Sequence, residues 1–501
     1  MSIVTSTAPK ARVYKFPLIL TVCMTAAVIP LSIAGPAVIV PAIHRTLGGS
    51  TVELTWIINA YLLTYGSATM AAGSLADIYG RKRAWLWGMV LFAMVTAALP
   101  FMPSVFWIDV LRLIQGLGAA TAFAGAMATL AQAFVGHDRT RMFSYVGTTF
   151  GAGAAFGPFL AGLLTDLLGW QWVFYLPALV ALISCALVAR FARESRDPEA
   201  VGLDWTGAMT FTAGLGLLTY AVVLVPGNGW SSASVLGCLT GALALLVVFV
   251  VVARRKVDPM LDLSLFAVPR FLGVQVLAVA PAYTYVVLLV VLPARFIGIE
   301  GLTALQTGQT MIALSAPLLI VPLIAGRLAR RFSAGVLSGF GLIVAAVGLA
   351  WLGFAMSDGT QTQRVLAMLV IGIGVGLPWG LMDGMAVSVV PKEKAGMATG
   401  IFNAVRLAGD GMAIAMVGTM LSTRIQSALS TTTTADLADA SARLAMSDLD
   451  GALAKLPAIG QSTLIGIYET AFRFQMLWLA AAAAATAILI VLLLGKAKAH
   501  H

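Results

Sequence analysis

Charged residues are scarce in this chain. Lys, Arg, Asp and Glu together make up 10% of its 501 residues, whereas hydrophobic residues make up 60%. Soluble proteins average about 25% charged and about 45–50% apolar residues, and folding in water cannot bury so much apolar surface. The composition therefore excludes a soluble enzyme, a disordered protein and a secreted scaffold. It predicts an all-α integral membrane protein.

Cysteine and histidine are also rare, with three and four residues. Cys23, Cys185 and Cys238 lie far apart within apolar stretches, so the sequence offers no metal-ligand spacing and no disulfide framework. The phosphate-binding pattern G-x-x-x-x-G-K-[ST] is absent, which argues against ATP hydrolysis. We therefore expect no metal, no cofactor and no enzymatic activity.

What the sequence does have is long apolar runs. A membrane-spanning helix needs about 20 mainly apolar residues, and fourteen stretches are long enough. The first follows basic residues as in a signal peptide, but it is too long for one, and we interpret it as a retained helix. The predicted spans are 16–42, 54–73, 84–103, 105–131, 143–164, 172–192, 205–225, 235–253, 271–292, 305–325, 336–356, 365–390, 397–421 and 474–494.

The basic residues between these spans are distributed unevenly. If the first span enters from the cytoplasm, 22 of the 31 Lys and Arg residues fall on the cytoplasmic side and 7 on the outer side. Positive residues concentrate in cytoplasmic loops of membrane proteins, so the count supports fourteen spans with both termini in the cytoplasm. The net charge of +10 then follows from topology and contact with membrane lipids, and nucleic acid is not needed to explain it.

The longest break between spans is the outer segment 422–473. It contains a run of threonines at 431–434, followed by residues 435–444, which could form a short amphipathic helix. The alternative is a poorly ordered connector.

Three short motifs contain most of the chemical information. The loop after the second span reads GSLADIYGRKR (73–83), in which Gly73 and Gly80 bracket a tight turn and Asp77 can pair with Arg81 or face the positive end of a helix. The fourth span contains RLIQGLGAA (112–120). The fifth contains GAAFGPFLAG (153–162), in which small residues allow close helix contact and a proline bends the helix. Its marked positions are Gly153, Gly157, Pro158 and Gly162.

These motifs resemble signatures of the major facilitator superfamily. They correspond to its loop signature, its arginine motif and the antiporter motif of its exporters. The number of spans, Asp204 with Trp205 at the start of the seventh, and Gly229 with Trp230 after it resemble the 14-span drug:proton antiporters.

This resemblance implies a definite architecture. Two six-helix bundles related by a pseudo-twofold repeat would enclose a cavity, with two helices inserted between them. The predicted domains are 1–200, 201–262 for the inserted helices, and 263–501, which includes the outer segment 422–473. A trace of the repeat is GRLARRF (326–332), where Arg330 occupies the position of Asp77.

The first span departs from the branch. The 14-span exporters usually have an acid there, and Ser32 occupies that position. The usual proton or cation site is therefore in question.

Five ionisable residues lie within predicted spans, where a charge costs at least about 2.5–3.5 kcal/mol. They are Asp109, Arg112, Asp383, Arg406 and Asp410. Arg406 and Asp410 are four residues apart and therefore share one helix face. We expect Asp410 to replace the missing acid as a proton carrier, the alternative being a permanent ion pair with Arg406.

The other acids leave two interpretations each. Asp383 is either a second proton site or inner-gate hydrogen-bonding group, or simply an acid near a helix end. Asp109 is either a proton site or the partner of Arg112.

Substrate contacts are less specific in sequence. Apolar and aromatic side chains that could line a cavity are Trp56, Tyr61, Trp379, Met382 and Met385, and each could instead face lipid. An extra acid would favour cationic or zwitterionic substrates, whereas Arg112 and Arg406 would suit carboxylates.

The sequence thus predicts a proton-coupled exporter of amphiphilic small molecules, of the multidrug-efflux type, that works by alternating access in the bacterial inner membrane. Its partners would be the substrate, protons and membrane lipids, and the proton gradient would supply the energy. The expected oligomeric state is a monomer. The main alternative is a dedicated exporter of one endogenous metabolite, such as a polycarboxylate siderophore. A nutrient importer, a membrane enzyme and a transporter-like sensor are less consistent with the motifs.

Overall fold

A computed structural model describes residues 8–134, 136–196, 204–256, 263–329, 331–390, 395–430 and 437–495. Arg330 and the threonines at 431–434 lie outside the described residues. Within them the chain is helical and contains no β-strand. The all-α prediction is therefore confirmed for this part of the chain.

Sixteen helices are labelled here in chain order. The first eight are α1 (Ala8–Leu47), α2 (Thr51–Tyr79), α3 (Arg81–Ala98), α4 (Val105–Ala133), α5 (Gly136–Leu168), α6 (Trp172–Phe191), α7 (Trp205–Asn228) and α8 (Ala233–Arg255). The others are α9 (Pro269–Gly298), α10 (Ala304–Leu328), α11 (Ala334–Asp358), α12 (Gln361–Ala386), α13 (Ala395–Leu429), α14 (Leu437–Ala445), α15 (Leu449–Lys455) and α16 (Gln461–Leu494).

Most of these helices can cross a membrane. Among the described residues, twelve are long and apolar enough, and α5 adds a thirteenth if its two segments, bent by 42°, form one span. Helix α2, which contains the second predicted span, is 29 residues long but carries Glu53 and Asn59 and is not among the twelve. The chain is therefore a multi-span membrane protein, while the count of fourteen stays a prediction.

Helices pack both on sequence neighbours and on helices further along the chain. Helix α1 packs on α5 and α6, α2 on α4, and α3 on α4 and α6. Later in the chain, α11 packs on α12 and α16, and α9 packs on α13 and α16. Helix α7 packs on α8 and also contacts α2 and α13. The domain boundaries at 200 and 262 and the two-bundle layout stay predictions.

Glycine allows the closest of these helix crossings. A Cβ atom at Gly88 of α3 would collide with the backbone nitrogen of Ala122 in α4. The same relation recurs between α12 and α11, where a Cβ atom at Gly374 would collide with the backbone nitrogen of Ala345. In lipid the hydrophobic effect does not drive helices together. Small residues favour helix association there because they let the backbones pack closely. The two crossings are similar, as a repeated architecture would produce.

The two ends of the molecule differ in how closely the helices meet. We call the end with Gly80 the inner end and the end with Gly301 the outer end. At the outer end, the Leu305 N–H of α10 donates to Asp166 of α5 at 3.0 Å. Toward the inner end, a Cβ atom at Gly147 of α5 or Gly384 of α12 would meet nothing within 4 Å. Helices α5 and α10 therefore meet at the outer end and still approach each other at Gly151 and Leu318, whereas the surface beside Gly147 is open.

The outer segment folds into a cap. Helices α14 and α15 bury small and aliphatic side chains, and the turn between them reaches α1 and α2. The Thr55 hydroxyl of α2 donates to Met446 Sδ at 3.7 Å, and His44 Nε2 of α1 lies 3.8 Å from Asp448. The amphipathic-helix interpretation of 435–444 is confirmed from Leu437 onward, and the poorly ordered connector is wrong for the described residues.

Ion pairs hold the cap helices together and make the cap sensitive to acid. Burial opposes a low pKa at Asp439, but hydrogen bonds from Lys455 and Arg443 lower its pKa below the usual value. A carboxyl group with a lowered pKa stabilises the folded cap at neutral pH, and this contribution disappears as the pH falls below about 4. Hydrogen exchange in 437–455, corrected for its intrinsic pH dependence, should therefore rise below that pH.

The variant Asp439→Asn should show the faster exchange already at pH 7. Asp450, in the first turn of α15, makes no described ion pair, so Asp450→Asn serves as the matched control. Unchanged exchange in Asp439→Asn would show that these ion pairs do not hold the cap.

Candidate functional site

Arg112 of α4 is fully buried and connects three helices. Its Nε–H donates to the Ile57 carbonyl of α2 at 2.6 Å, and Nη2 donates to the Ser32 carbonyl of α1 at 2.9 Å. Nη1 donates to Gln115 Oε1 at 2.6 Å. Thus the first span, which lacks the usual acid, offers Arg112 a backbone carbonyl instead.

Arg406 of α13 lies between two aromatic rings. Its guanidinium carbon is 4.4 Å from the ring centre of Trp379 in α12 and 5.5 Å from that of Phe150 in α5. The side chain is 9% exposed. A cation held over aromatic faces away from water gains about 2 kcal/mol or more. Arg406 thereby connects helices from early and late parts of the chain.

A series of aromatic rings links the two arginines across the interior. Arg112 lies 4.4 Å from the first ring centre and Arg406 lies 5.5 Å from the last. Successive ring centres are 5.7, 6.3 and 6.4 Å apart. We call these four rings the aromatic row; they are Tyr61, Tyr65, Phe123 and Phe150. Their spacing is that of stacked and edge-on aromatic pairs.

Asp410 is buried near this row. It is 5% exposed, and its Oδ1 has no hydrogen-bond partner among the described residues. It lies close enough to Arg406 and Tyr65 for its charge to act on them. No ion pair within 4 Å joins it to Arg406 in the described residues, so the permanent ion pair is not formed in this conformation.

The other two predicted acids lie elsewhere. Asp383 is exposed and follows a break in α12 after Trp379, within reach of the charge of Arg406. Asp109 is half-buried, and its Oδ1 has no described partner. Arg112 hydrogen-bonds to two carbonyls and Gln115 and makes no described hydrogen bond to Asp109, although the two lie close enough for their charges to interact.

The predicted cavity residues fall into two groups. Tyr61 and Trp379 are buried in the interior beside the arginines, and Met382 is buried at the break in α12. Trp56 instead packs against Tyr220, with ring centres 5.8 Å apart, and so faces α7. The spacing of apolar residues along α2 could not distinguish the interior Tyr61 from Trp56, because α2 contacts other helices on several sides.

Sequence reasoning missed two buried amides. Asn59 of α2 is 0% exposed and Gln275 of α9 is 4% exposed, and none of their side-chain nitrogen or oxygen atoms has a described partner. A buried amide without a partner is costly. The signal that could have found them is an amide, rather than a charge, within an apolar span.

In the loop motif (73–83), Arg81 bonds both within the motif and to α4. Arg81 Nε donates to Asp77 Oδ1 at 2.8 Å, and Nη1 donates to Gln132 of α4 at 3.1 Å. Gly80 has φ 115°, a region that disfavours side chains, and a Cβ atom there would press on Glu194. Of the two expected contacts of Asp77, the structure therefore shows the pair with Arg81. Gly73 lies in α2 above this loop.

The antiporter motif brings α5 against two helices. A Cβ atom at Gly153 or Gly157 would press on α1, and one at Gly162 would collide with the Ala304 carbonyl of α10. Pro158 lies just after the 42° bend. The expected close packing and bending are therefore present.

A further buried cation lies at the outer end. The sequence placed Arg295 in a loop, but α9 continues to Gly298 and leaves Arg295 1% exposed. It donates to Glu300 at 3.2 Å and lies 3.8 Å from Glu469 of α16, while Arg364 of α12 pairs with Glu300 at 2.8 Å. The group connects α9, α12 and α16.

Replacing Arg295 by methionine should destabilise the protein. Removing one partner of a buried ion pair costs up to about 3–5 kcal/mol, and here it would leave Glu469 without a described partner and Glu300 with Arg364 alone. Thermal unfolding in detergent should therefore occur at a markedly lower temperature. The exposed Arg45 makes no described ion pair, so Arg45→Met should unfold as the wild type does. Equal unfolding of the two variants would contradict the prediction.

Comparisons with known proteins agree with one another. The Major Facilitator Superfamily model matches residues 20–414. Multidrug resistance protein Stp of Mycobacterium tuberculosis is 31% identical over 395 residues, covering 78% of this chain and 73% of Stp. Drug efflux pump JefA of the same species is 29% identical over 416 residues, covering 82% and 81%.

A peptide transporter POT in complex with sulfate is similar in fold, with a TM-score of 0.61 at 16% identity over 96% of both chains.

Proposed function

Because this chain belongs to the Major Facilitator Superfamily, we propose that it exports amphiphilic small molecules of drug type across the bacterial inner membrane. Its relatives named as drug efflux pumps support this substrate class. The antiporter motif on α5 supports export rather than uptake. The excess of basic residues at the inner end supports the cytoplasmic location of that end.

The observation that carries this proposal is the aromatic row with an arginine at each end. Flat aromatic faces bind planar amphiphiles without demanding one shape. Arg406 lies between rings of α5 and α12, so a substrate that stacks there touches helices on both sides of the interior. Such a site suits transport, because movement of α5 relative to α12 would change the distance between the two rings that bracket Arg406.

Alternating access is the mechanism that fits these contacts. The close contact of α5 and α10 would form the closed outer gate, and the open space near Gly147 would be the inner entrance. The Asp77–Arg81 pair lies at the inner end, where closure would rearrange the loop. Contacts that differ between two states are what such a transition needs.

Proton coupling would rest on Asp410. Its carboxyl is buried, has an oxygen without a described partner and lies near Arg406. A proton on Asp410 would remove a charge from the interior, and substrate binding beside Arg406 would favour its release. Proton entry would thus drive substrate expulsion, with Asp383 as a second proton site nearer the inner end.

A second candidate is a dedicated exporter of one carboxylate-bearing metabolite. The observation in its favour is that neither Arg112 nor Arg406 has a carboxylate within 4 Å among the described residues. Arg406, whose guanidinium makes no described hydrogen bond, could receive a carboxylate of such a metabolite.

Everted membrane vesicles with an imposed pH gradient would test the function. Lipophilic cations and polycarboxylate chelators would be added singly, and discharge of the gradient would be followed by a fluorescent dye. We expect several unrelated amphiphiles to discharge it in vesicles containing the protein but not in vesicles without it. Discharge by a single polycarboxylate would favour the dedicated exporter, and no discharge by any compound would contradict proton-coupled export.

A further inference from the structure

A groove of about 300 Å³ opens on the outer half of the protein between α7, α13 and α16. It lies apart from the aromatic row, and none of the residues proposed to contact substrate or protons lines it. Its walls are largely apolar, with Val222 from α7, Met416 and Met420 from α13, and Trp478 from α16. The groove is therefore a separate feature of the lipid-facing surface.

One end of the groove carries an arginine. Arg424 lines the groove two turns beyond Met416 on α13, which at about 1.5 Å per residue places it about 12 Å further along the helix. The guanidinium lies over the Phe474 ring, with 3.6 Å between its carbon and the ring centre. In the described part of the chain, no carboxylate lies within ion-pair distance of Arg424.

Tryptophan places this end of the groove at the membrane interface. Trp230, in the turn between α7 and α8, lines the groove and is half exposed. Trp478 is also half exposed. Tryptophan is enriched where the hydrocarbon core meets the headgroups. Arg424 is therefore at the depth of a lipid phosphate, with the apolar part of the groove below it.

We infer that this groove binds an anionic phospholipid, with the phosphate on Arg424 and an acyl chain along Met420 and Met416. Three observations combine: an apolar channel at acyl-chain depth, a cation without a carboxylate partner at headgroup depth, and interfacial tryptophans at the rim. The lipid would fill the gap between the inserted helix α7 and the helices α13 and α16. A zwitterionic lipid would fill the channel but gain less from the single positive charge.

Lipid retention by the purified full-length protein tests this inference. The protein in detergent would be titrated with dioleoyl phosphatidylglycerol or dioleoyl phosphatidylcholine, and bound lipid would be counted by native mass spectrometry. The wild type should retain one phosphatidylglycerol that Arg424→Gln binds about fivefold more weakly, the effect expected of one basic side chain. Arg45→Gln, the same change at an exposed outer position, should bind as the wild type does.

A second variant tests the channel itself. Met416→Trp should fill the groove and remove the retained lipid while leaving Arg424 in place. A rise in unfolding temperature on adding phosphatidylglycerol should likewise occur in wild type and Arg45→Gln but not in Arg424→Gln or Met416→Trp. Equal retention of the two lipids by the wild type, or retention unchanged by either groove variant, would overturn the inference.

Discussion

Replacing Gly162 by valine is expected to reduce export at least about tenfold. A Cβ atom at this position would meet the backbone carbonyl of Ala304, which cannot rotate away as a side chain can. Overpacking of this kind costs about 1–3 kcal/mol, and about 1.4 kcal/mol is a factor of ten. The variant should therefore rarely reach the state in which α5 and α10 close the outer end.

Substrate uptake into everted vesicles, which corresponds to export from the cell, would measure this effect after normalisation to the amount of protein. The matched control is Gly237→Val in α8, where an added Cβ atom meets nothing within 4 Å. In a background without the three native cysteines, a cysteine at Thr55 should react faster with an impermeant maleimide added to spheroplasts, whose outer face is accessible, in Gly162→Val than in the control. Normal export by Gly162→Val would show that the α5–α10 contact is not part of the transport cycle.

Replacing Arg406 by glutamine is expected to weaken export by about thirtyfold. The substitution removes a cation that lies over Trp379 and Phe150. A desolvated cation–π contact is worth about 2 kcal/mol, which corresponds to roughly thirtyfold in the equilibrium constant for the arrangement that joins α5 and α12. Because the rings come from α12 and α5, the loss should raise KM and lower the transport rate together.

Arg473→Gln provides the matched control. Arg473 also lies over an aromatic ring, 6.0 Å from the ring centre of Phe354, but on α16 and away from the aromatic row. Arg406→Lys, which keeps the charge but loses the planar group, should fall between glutamine and wild type. If Arg406→Gln and Arg473→Gln export equally well, the ring stack at Arg406 has no role in substrate handling.

Local sequence was sufficient to predict the loop at Asp77 and the packing glycines of α5. Asp77 pairs with Arg81 four residues away, and the small-residue pattern of α5 predicts a close helix contact without naming the partner helix; both contacts are present. The all-helical membrane fold followed from composition, because apolar runs of this length have few alternatives.

The partners of the buried charges could not be predicted in the same way. Arg406 and Asp410 share a helix face, yet the contacts of Arg406 are rings from helices distant in sequence. Arg295 was assigned to a loop because hydropathy alone ends α9 too early. Asn59 and Gln275 carry no charge, so a search for ionisable residues within the spans did not find them. Tertiary packing decides each of these positions.

Proton release by purified protein in liposomes tests the central proposal most directly. Protein would be reconstituted with a trapped pH-sensitive dye, and a transported amphiphile would be added. The wild type should move protons in response, whereas Asp410→Asn should still bind the amphiphile, as judged by tryptophan quenching, but move none. Asp450→Asn, an outer-loop carboxyl, should respond as the wild type does. Full proton movement by Asp410→Asn would contradict the assignment of proton coupling to this carboxyl.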